Sequence, residues 1–172
     1  VYNQRPQSKE EALEHASRAL ALAGQVPERE ENFIRGSEAF IRGDLAAAKR
    51  YHEALFRVHP DHYWAGNNVI SLYLYTGERA NVRSVMEKMI EQRPNDPRGY
   101  YRLARECLCP PKEEAARAIE LSAKSVELSR EQMDLNLRQT FEARHLHTRA
   151  MVAWLKGDIT RANALVEEAR RL

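Results

Sequence analysis

GDLAAAKRYHEALFRVHP, residues 43–60, decides how the rest of the chain is read. Gly43 suits the end of one helix, and Asp44 suits the cap of the next. Leu45, Ala48, Tyr51, Leu55 and Val58 then share one helical stripe, and Pro60 stops it. The stretch returns as GERANVRSVMEKMIEQRP, residues 77–94, with both the glycine and the proline displaced by 34 residues. A third copy, GDITRANALVEEARRL, residues 157–172, ends the chain before its proline. Such a period means stacked helix pairs, because one pair buries too little apolar surface alone and leans on the next.

A 34-residue return of glycine and proline resembles the tetratricopeptide repeat, whose pattern is W-x2-L-G-x2-Y, then A-x3-F, then P. The family's glycine slot holds Gly36, Ile70, Ala104 and Ala150 here. Its alanine slot holds Ala48, Val82, Ala118 and Ala162, with Ala12 upstream, and its proline slot holds Pro60 and Pro94. The tryptophan slot is not kept, so the likeness lies in spacing and small residues. VPEREENFIRGSEAFIRGD, from Val26 to Asp44, also resembles the repeats appended to bacterial serine/threonine kinases and transcription regulators. The resemblance implies an all-α, right-handed α–α superhelix of about nine helices. It implies one domain over residues 1–172: a half-repeat at 8–24, then repeats at about 27–60, 61–94, 96–129 and 130–172.

Working outward, Ser8 and Glu11 form a capping box for a helix that runs to Gly24, a left-handed cap. Pro27 suits the first turn of the next helix. Asp61 is expected to cap a helix from His62 to Thr76, and Asp96-Pro97 opens another through Cys107. Pro110-Pro111 replaces a glycine turn and adds two residues. Gly77 to Gly157 is 80 residues where two periods would give 68, so the remaining excess falls between Ser129 and Ala143. That stretch holds no glycine or proline. It reads as part of one helix from about Arg130 to Lys156, roughly 40 Å long. A break near Thr140 is the alternative.

Composition narrows the function. The net charge is +2, from 27 basic and 25 acidic residues, which implies no strong field for polyanions. Mean hydropathy is −0.66, and no apolar run approaches the roughly 20 residues that span a bilayer. The N-terminus is polar and starts at Val1 rather than Met, so the chain reads as a piece of something longer, with a cytoplasmic setting expected. Cys107 and Cys109 are too few for a disulfide framework.

The family's inward slots imply a groove. They fall on Glu30, Phe33, Ser37, Phe40 and Ile41, then Trp64, Asn67, Ser71, Leu74 and Tyr75. Arg98, Tyr101, Arg105 and Leu108 follow, then Arg144, His147, Met151 and Trp154. Aromatics alternating with arginines and amides suit an extended acidic and apolar peptide, since guanidinium pairs bidentately with carboxylate. The bland reading makes Phe40, Leu74, Leu108 and Trp154 core, and leaves Arg98, Arg105 and Arg144 as a solvated face. Some tetratricopeptide domains clamp a C-terminal carboxylate with a lysine and asparagines on their first helices. Asn67, Arg98 and Arg105 match the later parts of that clamp, but Phe33 and Ser37 fill its first slots, so it is incomplete. Met133, Leu137 and Phe141 offer a second docking stripe.

Chemistry has less support. Cys107-x-Cys109, His59-x-x-His62 and His145-x-His147 are thin pairs that do not make a four-ligand zinc site, and Cys107 reads as core. There is no nucleophile elbow, H-E-x-x-H or phosphate loop, so no enzyme, cofactor or metal is expected. The expected function is protein–protein interaction, with self-association through exposed end repeats. The alternatives are a small-molecule sensor, and an RNA reader of the pentatricopeptide kind. The second is disfavoured by the 34-residue period and near-neutral charge.

Overall fold

The computed structural model describes residues 9–109 and 114–172. The capping box at Ser8 and the Pro110-Pro111 turn lie outside these residues. All regular structure in the described residues is helical. It comprises α1 (Lys9–Ala21), a 3₁₀ turn (Ala23–Gln25), α2 (Glu28–Arg42), α3 (Leu45–Val58), α4 (Tyr63–Tyr75) and α5 (Arg79–Gln92), then α6 (Pro97–Glu106), α7 (Ala115–Gln132), α8 (Leu135–Leu155) and α9 (Ile159–Ala169). The chain divides into two units, Val1–Val85 and Met86–Leu172.

The glycine turns share one geometry. Gly43, Gly77 and Gly157 have φ of 90°, 78° and 79°. The residue after each donates its N–H five residues back: Asp44 to the Ala39 carbonyl, Glu78 to Tyr73 and Asp158 to Ala153, at 2.8–2.9 Å. This is the Schellman closure, which needs a left-handed residue that only glycine supplies without strain. Asp44 and Asp158 then accept from the N–H of Ala47 and Arg161 and start α3 and α9. One glycine and one aspartate therefore end a helix and begin its mate.

The packing slots behave alike. Gly36, Ile70, Ala104 and Ala150 are buried, as are Ala48, Val82, Ala118 and Ala162. In the first unit Ala39, Ala48 and Leu72 form a core of α2, α3 and α4. In the second, Leu146 and Ala150 of α8 pack on Leu165 and Ala169 of α9. Val58, assigned to the apolar stripe of α3, is instead 66% exposed in the last turn.

Three local expectations are corrected. Gly24 is not a left-handed cap; it sits inside the 3₁₀ turn. Asp61 does not cap α4; His62 does, its Nδ1 accepting from the Ala65 N–H at 3.1 Å. The helix read from Arg130 to Lys156 is interrupted, and not near Thr140. Met133 is extended (φ −123°, ψ 157°), and Asp134 caps α8 by accepting from the Leu137 N–H. An aspartate before an apolar turn competes with helix propensity by offering the backbone its own acceptor. The extra residues thus lengthen both α7 and α8.

Candidate functional site

In the first unit the predicted residues separate into two groups. Phe33 is half-buried on α2, its ring 5.6 Å from His52 and 5.3 Å from His62. It belongs to the packing between helices. Ser37 is half-buried, and its Oγ has no hydrogen-bond partner among the described residues. Outside them, Trp64 is 40% exposed and lies edge-on to Tyr63. Asn67 donates to Asn68 Oδ1 at 3.3 Å, and Ser71 donates to the Asn67 carbonyl at 3.0 Å. Phe40 and Tyr75 meet at 5.7 Å, both exposed. With His52, Asn68 and Ser71 they line a hollow of about 220 Å³.

The floor of that hollow is a histidine that sequence reasoning missed. His52 is buried at 1% exposure. Its Nε2 lies 3.2 Å from Asn68 Nδ2, and its Nδ1 is unpartnered among the described residues. Burial, then the nearby charge of His62, pushes its pKa down to about 4. His62 is lowered too, by burial and then by Arg29. Both imidazoles are therefore neutral at pH 7. The available signal was His52 four residues after Ala48, on the buried stripe of α3.

In the second unit the three predicted arginines have different fates. Arg98 grips Asp96 with two parallel bonds, Nε to Oδ1 at 2.8 Å and Nη2 to Oδ2 at 2.6 Å. Burial pushes the Asp96 carboxyl up, but the Arg98 hydrogen bonds and charge, aided by Arg93, carry it below its ordinary range. Arg98 thus secures the start of α6, where Asp96 also accepts from the Arg98 N–H. Arg105 and Arg144 do something else. Both guanidiniums lie over the Tyr101 ring, at 5.9 and 4.6 Å from its centroid, and Arg144 is 5.2 Å from the Phe141 ring. Tyr101 stands edge-on to Phe141 at 6.4 Å. His147 is exposed, its Nδ1 donating to the Ala143 carbonyl at 2.9 Å.

Of the residues given a core reading, Leu108 is buried. Phe40, Leu74 and Trp154 are exposed at 38%, 47% and 64%. The stripe of Met133, Leu137 and Phe141 is not continuous, because Phe141 is 1% exposed and supports Tyr101 from beneath. Cys107 is fully buried, as its slot implied. Among the described residues no three His, Cys, Asp or Glu side chains gather as metal ligands, and no helix is long and apolar enough to cross a membrane.

No family model matches this chain, and no curated protein matches it in sequence. Solved structures do. MamA, residues 41 to the end, from Desulfovibrio magneticus RS-1 superimposes with a TM-score of 0.63 at 20% identity, covering 96% of this chain and 86% of that one. MamA AMB-1 also gives 0.63, at 14% identity, over 94% and 95% of the two chains. MamA MSR-1 gives 0.61 at 14% identity, over 95% and 92%. The shared fold is an α–α helical-repeat solenoid of the tetratricopeptide kind.

Proposed function

We propose that this chain is a non-enzymatic protein-interaction module of a larger bacterial signalling or regulatory protein, working in the cytoplasm. Its partner would lie along the first helix of each pair. One observation carries this reading: Phe40, Trp64, Tyr75 and Trp154, the exposed aromatics among the described residues, all sit on α2, α4 and α8. Their mates α3 and α9 turn small residues inward and expose charge. Exposed aromatic side chains cost solvation and mark contact surfaces, where Trp, Tyr and Arg carry most binding energy. Within this reading Trp64, Asn67 and Ser71 form the contact in the first unit, backed by Phe33 and Ser37. Tyr101, Arg105, Arg144 and His147 form it in the second, with Arg98 holding the helix that presents them.

The test is capture of partners from the source cells by the chain and by Trp64→Ala with Tyr75→Ala. The variant should keep its helical circular dichroism and lose the captured proteins. Capture that ignores both substitutions would overturn the assignment of this face.

A sensor of small molecules is the second reading, favoured by the hollow above His52. Its volume of about 220 Å³ falls below the ~300–1,000 Å³ usual for ligand sites, and two of its walls are exposed rings. A hollow of that size suits one side chain of a bound peptide better than a whole ligand.

A further inference from the structure

We propose that α8 and α6 together read a partner segment with an acidic side chain centred between two apolar ones, the acid held by Arg105 and Arg144. The inference rests on the interaction-module reading above and names the partner's chemistry. Two guanidiniums from different helices converge on Tyr101, and neither has a hydrogen bond or ion pair to any described residue. The single carboxylate of α8, Glu142, is already taken by Arg130 of α7, at 2.8 and 3.1 Å. Nothing described therefore neutralises the pair. The ring beneath holds the planar cations in place while leaving their N–H edges for a ligand. A carboxylate meets that geometry with paired charge-assisted bonds.

The flanks come from helix periodicity. Leu137, Arg144 and Met151 are spaced by seven, so they lie within about 20° of one line along α8. Leu137 and Met151 are 46% and 50% exposed, and Trp154 widens the second apolar patch. Seven residues of helix rise roughly 10 Å, which an extended strand covers in about three residues. The segment that fits is apolar-x-x-acidic-x-x-apolar, running along α8 in extended form.

The experiment selects a displayed library of random twelve-residue peptides on the full chain, then measures affinity with synthetic copies of the enriched peptides. Asp or Glu with apolar residues three positions either side should be enriched. Arg105→Gln with Arg144→Gln should weaken those peptides by about tenfold or more, and affinity should fall with added salt. Arg144→Lys should recover only part of the loss, because lysine keeps charge without the fork. Changing Leu137 and Met151 to serine should weaken binding at either arginine state. Enrichment of neutral peptides, or acidic peptides indifferent to the glutamine variants, would overturn this inference and leave the interaction module standing. Failure to enrich any peptide over bare support would remove both.

Discussion

At the scale of the residue, the Gly36–His52 contact decides how closely α2 and α3 approach. A Cβ on Gly36 would stand 2.8 Å from His52 Nε2 and 2.9 Å from its Cε1. The ring has little room to retreat, since Phe33 packs on it and Asn68 contacts Nε2. Gly36→Ala should therefore destabilise the chain by about 1–3 kcal/mol, read as a lower Tm. His52→Ala should cost more alone than in the Gly36→Ala background, because the added methyl fills part of the cavity. The same histidine sets a pH dependence. Its folded pKa of about 4 lies below the ordinary 6.5, so the unfolded chain binds the extra proton between these values. Stability is full above pH 6.5, falls as pH drops toward 4, and levels off below it, for a loss of at most about 3 kcal/mol. His62 adds to the same trend, since protonating its Nδ1 also removes the cap of α4. Denaturant melts at pH 7, 5.5 and 4.5 should show the decline, and His52→Asn should flatten it.

At the scale of the element, the break between α7 and α8 rests on Asp134. Asp134→Ala should cost about 1 kcal/mol, and the amides of residues 135–138 should exchange faster while those of α7 keep their protection. The turn glycines give a paired test. Gly43→Ala puts a side chain at φ 90° and should cost about 1–2 kcal/mol. Gly24→Ala meets nothing within 4 Å and has no positive φ, so it should be neutral or slightly stabilising. Two melting curves distinguish these outcomes. On α7, Ser122, Ser125 and Ser129 are fully buried, and each donates to a carbonyl three residues back. Their hydroxyls are thus satisfied within the helix, and Ser122 still reaches His145 at 2.8 Å. A polar sequence row makes a packing face there, because its polarity is spent locally.

At the scale of the whole molecule, the balanced charge and the character of the end helices bear on association. The exposed side chains of α9 include Arg161, Asn163, Glu167 and Glu168, and those of α1 include Glu11, Glu14 and Arg18. Such faces resist hydrophobic pairing, so the chain should sediment as a monomer at tens of micromolar. Concentration-dependent dimers would instead support the expectation that the end repeats stick. If dimers form, Ile159→Ser, at a half-exposed apolar position, should dissolve them.

The repeat, its helix class and its buried slots were written in the sequence by itself. Helix period, turn glycines and small residues act locally, and a 34-residue return repeats that local information until it is unambiguous. Tyr101, Arg105 and Arg144 were also named, from the family's inward slots, though Arg98, Arg105 and Arg144 stood there as three arginines of one kind. Only tertiary structure separated them. Arg98 lies two residues from a buried carboxylate whose desolvation demands a partner, whereas among the described residues the guanidiniums of Arg105 and Arg144 meet aromatic faces and no carboxylate. The buried histidine beneath the first-unit hollow and the serine row of α7 were likewise decided by packing. A polar side chain reads as surface in a sequence, and becomes core when a neighbouring helix satisfies it or its own backbone does. The break at Met133 shows the same limit at shorter range: good helix formers on both sides of Asp134 hid a cap that the backbone preferred to a continuous turn.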